Sequence, residues 1–156
     1  MISVIDEIIV DLTAALSAKF ETIYKGIVIP IPQSYLPALM VFPISTNIIA
    51  KSTAKDQHVY TIGITATISL KKYFDESGTG TTMDAQEAIV KLMEERDTNG
   101  KPIDASVLGV LRNNVRGTSY LYNNEIMIEY GKPETNEFPY LQAELNVQAI
   151  TDLITR

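Results

Sequence analysis

In the stretch from His58 to Leu70 (HVYTIGITATISL), every second residue from Tyr60 onward separates into an apolar and a polar face. Tyr60, Ile62, Ile64, Ala66, Ile68 and Leu70 fall on one face, and Thr61, Gly63, Thr65, Thr67 and Ser69 on the other. A period of two predicts a β-strand with one side on a core and the other toward water or a partner. The β-branched and aromatic residues agree with it. At roughly 3.3 Å per residue such a strand would reach about 43 Å, around twice the ordinary length. It is expected to outrun its own domain or to bend, with Gly63 as the place for a bend.

A period near 3.6 marks the N-terminal stretch instead. Ile5, Ile8, Ile9, Leu12, Leu16 and Phe20 recur at helical spacing, Ser3 and Asp6 resemble a capping box, and Lys19 stands in the late turns, so residues 4–20 predict an amphipathic helix. From Ile23 to Ala50 the chain is apolar and broken by prolines, which do not donate to a sheet ladder. Ala38–Phe42 reads as a short buried strand, Ile27–Ile31 as a second, and Ile44–Ala50 as a continuation of the former toward a turn over Lys51–Gln57. The long strand would then return antiparallel to it.

Beyond Leu70, a polar glycine-bearing loop leads to Asp84, whose spacing to Glu87 marks a helix start; Ala85, Ala88, Ile89, Leu92 and Met93 form the apolar stripe. Asp97–Pro102 (DTNGKP) is turn chemistry. A shorter helix is predicted over Asp104–Val115, with Val107, Leu108 and Leu111 inward and Gly117 just past its end. Two strands follow, Tyr120–Tyr130 with Ile126, Ile128 and Tyr130 on one face, and Tyr140–Ile150 with Leu141, Ala143, Leu145, Val147 and Ala149 opposite Gln142, Glu144, Asn146 and Gln148. The connection 131–139 is too long for a tight hairpin and is expected to protrude. This order predicts an α+β fold: a mainly antiparallel sheet with helices packed on one face, residues 1–156 forming a single domain.

Composition narrows the function more than the fold. The absence of cysteine removes disulfides, thiolate metal sites and cysteine nucleophiles. The opening MISVIDE has no basic region and turns acidic at once, which argues against a secretory leader, and no apolar run approaches a membrane span. A net charge of −6 argues against gripping nucleic acid by its phosphates.

The candidate chemistry is thin. His58 is the single histidine, and no Gly-x-Ser-x-Gly elbow accompanies it, so it reads as a surface turn residue. Gly78-Thr79-Gly80-Thr81-Thr82 lacks both the lysine of a phosphate loop and the third glycine of a dinucleotide loop. The carboxylates Asp75/Glu76 and Glu94/Glu95/Asp97 read as solvated helix ends, and the Asp97 segment lacks the remaining ligands of a calcium loop. Tyr120, Tyr122 and Tyr130 could form a stacking or contact surface, with a mixture of core and interface roles expected. The polar rows Thr61/Thr65/Thr67 and Gln142/Glu144/Asn146/Gln148 read as the wet side of a half-covered sheet, or as a face that meets neighbouring subunits. No catalytic residue, metal ligand or cofactor is assigned.

The helix ending near Phe20, the Leu36-Pro-Ala-Leu-Met-Val segment, the alternating strand Tyr60–Leu70, the opening Asp84-Ala-Gln-Glu-Ala-Ile-Val-Lys-Leu and the closing Leu141-Gln-Ala-Glu-Leu-Asn-Val follow one another in an order that resembles a known family. It is that of the tail terminator proteins of long-tailed bacteriophages, with the related small neck and minor tail proteins. The resemblance covers most of the chain and is one of pattern and size. It implies a non-enzymatic virion protein, assembled in the host cytoplasm and placed at the head-proximal end of the tail. There it would form a six-fold ring on the tail tube protein, stop polymerisation and present a docking surface to the head-completion or neck protein, while DNA passes through unread. Contacts that close a ring are heterologous. They are expected at the overlong strand's end and on two loops, with Asp75, Gly78, Thr79, Gly80, Tyr130, Lys132, Glu134, Asn136 and Phe138 as interface candidates. A head-completion or tail-tube protein is the alternative in the same class. A small carboxylate-based enzyme or ligand-binding domain is the alternative from another.

Overall fold

A single strand pair carries most of the molecule. In the computed structural model, which describes residues 1–72, 82–115, 117, 120–123, 125–131 and 140–155, β2 (Ala38–Ala50) and β3 (Lys55–Ser69) run antiparallel for nearly their whole length. β1 (Thr22–Lys25) lies parallel to the first residues of β2. On the other side of β3 comes β6 (Tyr140–Thr151), flanked in turn by β4 (Tyr120–Tyr122) and β5 (Met127–Tyr130); the two-residue β7 (Ile154–Thr155) pairs with the start of β3. With α1 (Ile2–Leu16), α2 (Thr82–Glu94) and α3 (Val107–Asn113), the fold is α+β around a mixed sheet.

Register explains the core. Leu39, Ala66 and Ala143 stand in one cross-strand row, and Val41, Ile64 and Leu145 in the next. These positions are fully buried. They join Val4, Ile5, Ile8, Leu12 and Leu16 of α1, Ala85, Ile89 and Met93 of α2, and Val107, Val110 and Leu111 of α3 in one apolar cluster. Each valine, leucine, isoleucine or methionine among them contributes about 1.5–3 kcal/mol when removed from water, so the alternating face and the helix stripes hold one another in place.

The element ends differ from the sequence reading for local reasons. α1 begins at Ile2, ahead of Ser3, with the Ile5 amide already donating to the Met1 carbonyl at 3.1 Å, and no side chain caps it. It stops at Leu16, four residues early, where Lys19 and Phe20 donate back to the Leu16 carbonyl. α3 is capped by Ser106, whose hydroxyl accepts from the Gly109 amide at 3.0 Å. Gly109 itself tolerates no Cβ, because that atom would stand 1.8 Å from the Ile103 carbonyl oxygen. The Asp97 turn behaves as its sequence suggests: the Asp97 carboxylate accepts from the amides of Asn99 and Lys101, and Gly100 takes a positive φ of 81°.

Three expectations about the sheet need correcting. Tyr120–Tyr130 is not one strand but the separate β4 and β5. Ile27–Ile31 is not a strand; β1 lies just before it, and this proline-rich segment instead folds over the second sheet face. Val28 and Ile31 pack there with Ala38, Met40 and Phe42, and the Tyr140 hydroxyl donates to the Ile31 carbonyl at 3.0 Å. As a result Thr65 and Thr67 are buried rather than wet, with Thr67 accepting from the Gln142 amide. At Gly63 the register of β3 is unbroken on both sides. The register shift lies in β2, between Pro43 and Ser45. Gly63 gives room to the Phe42 ring, which an added Cβ would meet at 2.5 Å.

Candidate functional site

The expectation that the long strand outruns its domain leads to the most distinctive surface. Past Pro43, β2 leaves the core: Pro43 to Ile48 and Ala50 are exposed, and Ile49 is half-buried. Its partner residues Lys55–Val59 of β3 are exposed or half-buried as well. The two strands form a projecting arm that turns at Lys51–Lys55, where the Lys51 amide donates to the Lys55 carbonyl at 3.0 Å. Ile154 and Thr155 of β7 pair with Asp56 and Lys55 on one side of the arm. Among the described residues no strand lies against the other side, because β1 pairs only with Ala38–Val41.

That outer edge is an unusual one. It runs Ile44-Ser-Thr-Asn-Ile-Ile-Ala50 without a charge or a proline. Ile44 and Ile48 are 49% and 58% exposed. Open strand edges carry unpaired amides and carbonyls and are ordinarily guarded by lysines, prolines or bulges. Here the guards stand only at the ends, as the Pro43 bulge and Lys51. Chemically the edge can accept an extended segment of another chain. Its sequence signal was legible as an uncharged run beside the long strand, but the periodicity argument assigned it only as a continuation toward a turn.

The interface candidates fare differently. Tyr130 ends β5 and is partly exposed. Burial, and then the charge and hydrogen bond of the Glu94 carboxylate, push its hydroxyl well above the ordinary tyrosine range. Asp75, Gly78, Thr79, Gly80, Lys132, Glu134, Asn136 and Phe138 lie outside the described residues, as does Glu76. Tyr130 also lines an open cleft of about 680 Å³ with Ile89, Val90, Glu94 and Arg96. The cleft's carboxylates are engaged: Glu87 pairs with Lys91 at 3.1 Å, Glu95 with Lys19 at 3.6 Å, and Glu94 with Tyr130.

Tyr120 and Tyr122 are not a surface platform. They share the core face with Ala149 and Thr151 opposite them, are 1% and 4% exposed, and their hydroxyls stand 3.2 Å apart. Burial, foremost, raises both above the usual tyrosine range, and the nearby Glu7 and Asp11 carboxylates add to it. Burial likewise raises Asp11, with Glu7 contributing. His58 is a strand residue rather than a turn residue. It is half-buried, its ring meets Tyr60 edge-on at 5.8 Å, Nδ1 lies 3.1 Å from the Tyr60 hydroxyl, and its amide donates to Thr151 Oγ1. The row Gln142, Glu144, Asn146 and Gln148 is exposed as expected. Among the described residues no cluster of three His, Asp or Glu could hold a metal, and no helix is long and apolar enough to cross a membrane.

No family model matches the chain, and no curated protein gives a match to it.

Proposed function

We propose that this chain is an assembly protein of the tail terminator kind. On this reading copies close into a ring on the end of a phage tail tube, stop its growth and offer a surface to the head-completion or neck protein. The observation that carries it is the arm: a β-hairpin that leaves the core and keeps an uncharged, open edge with exposed isoleucines. An open strand edge of this kind suits a protein that works by contact with other chains. The engaged carboxylates of the Tyr130 cleft weigh against the small-enzyme alternative. The acidic net charge of −6 suits a ring through which DNA passes without being held.

Gold-labelled chain added to purified tail tubes, viewed by electron microscopy, tests the placement. Label at one end of each tube is the expected result. Label along the whole tube favours a tube component instead, and tubes without label contradict the proposal.

A further inference from the structure

We infer that in the free protein the outer edge of β2 is closed by the same edge of a second copy, the two strands running antiparallel about a two-fold axis between their Ile48 residues. The phase of the ladder identifies the groups. The bond from the Lys51 amide to the Lys55 carbonyl makes that pair hydrogen-bonded, so Ile49 and Asn47, at steps of two, also bond to β3. Thr46, Ile48 and Ala50 therefore point their amides and carbonyls outward. His58 agrees independently, since it is the residue opposite Ile48 and its amide turns away to Thr151.

The edge is complementary to itself in this register. Ile48 faces the partner's Ile48, Thr46 faces the partner's Ala50 and Asn47 faces the partner's Ile49. Lys51 falls opposite the partner's Ser45, so no like charges meet. The remaining fold leaves room: β1 lies against residues 38–41, and those positions in the second copy fall past the Lys51–Lys55 turn. The pairing covers the exposed Ile48 side chain and joins two arms into one sheet. A two-fold contact uses the same strand twice and cannot propagate, so it guards the edge against uncontrolled strand addition. It uses the edge on which the proposed function also rests, but a two-fold pairing is read by self-crosslinking and the ring by label on tail tubes, so the two can fail independently.

The absence of cysteine permits a clean test. In the full-length chain, Ile48→Cys places two thiols on a hydrogen-bonded pair, with Cα atoms about 5.5 Å apart, inside the disulfide range. Asn47→Cys offsets its thiols by two residues, roughly 6.8 Å further along the strand. Under mild oxidation, Ile48→Cys is expected to give a covalent dimer and Asn47→Cys to remain uncrosslinked. Light scattering on a sizing column should show a wild-type dimer and a monomeric Ile48→Lys with unchanged circular dichroism. Equal crosslinking of both cysteine variants, a monomeric wild type, or a larger species that Ile48→Lys leaves intact would each overturn the pairing. The last of these would at the same time support the ring.

Discussion

Leu12→Ala is expected to lower the free energy of unfolding by about 2–5 kcal/mol, the range for emptying a leucine site in a packed interior. Leu12 is fully buried and belongs to the cluster that joins α1 to β2, β3 and β6. Alanine is the best helix former, so the loss comes from the cavity and not from the helix. Val10→Ala on the same helix is the control. Val10 is 66% exposed, and its replacement should change stability by no more than about 0.5 kcal/mol. Urea unfolding of the two variants checks this, with a lowered midpoint and unchanged slope expected for Leu12→Ala alone. Equal midpoints would mean that α1 is not docked as described.

The second large effect belongs to alkaline pH. Tyr122 and Tyr120 are raised when folded, chiefly by burial, whereas in the unfolded chain they ionise near pH 10. Above that pH the unfolded state gives up protons that the folded state retains, so the unfolded state binds fewer and stability falls as pH rises. Below pH 10 the stabilisation is intact. Each retained proton steepens the decline by about 1.4 kcal/mol per pH unit. Urea midpoints measured between pH 8 and pH 11 should stay level from this source and then drop. Tyr122→Phe should decline less steeply, because one of the retained protons is gone. Parallel declines in the two proteins would place Tyr122 in water.

Where one periodic pattern controlled the outcome, the sequence was a good guide. The alternation in β3 and β6 fixes which face of each is buried, because a shift by one residue would turn every isoleucine outward. The parts that misled are those where distant residues decide. Tyr120 and Tyr122 look like contact residues until register sets them opposite Thr151 and Ala149 on the core side. Thr65 and Thr67 look wet until the segment before β2 folds across them. In that segment the apolar residues resemble a strand, yet Gly26 at a positive φ of 101° and the prolines at 30 and 32 keep it irregular, leaving Ile29 83% exposed. Of the surface candidates only Tyr130 lies among the described residues. The open edge of β2 was present in the sequence as seven uncharged residues. Its exposure depends on how far β1 extends along β2, which only the topology reveals.

The central claim, that the chain ends tail growth, is tested most directly by the length distribution of tail tubes in lysates with and without this protein. The account predicts tubes that grow past a fixed length when it is missing and return to that length when it is added back. Tubes of normal length that fail to join heads would move the assignment to a neck or head-completion protein. Tails unchanged in both length and joining would contradict the account.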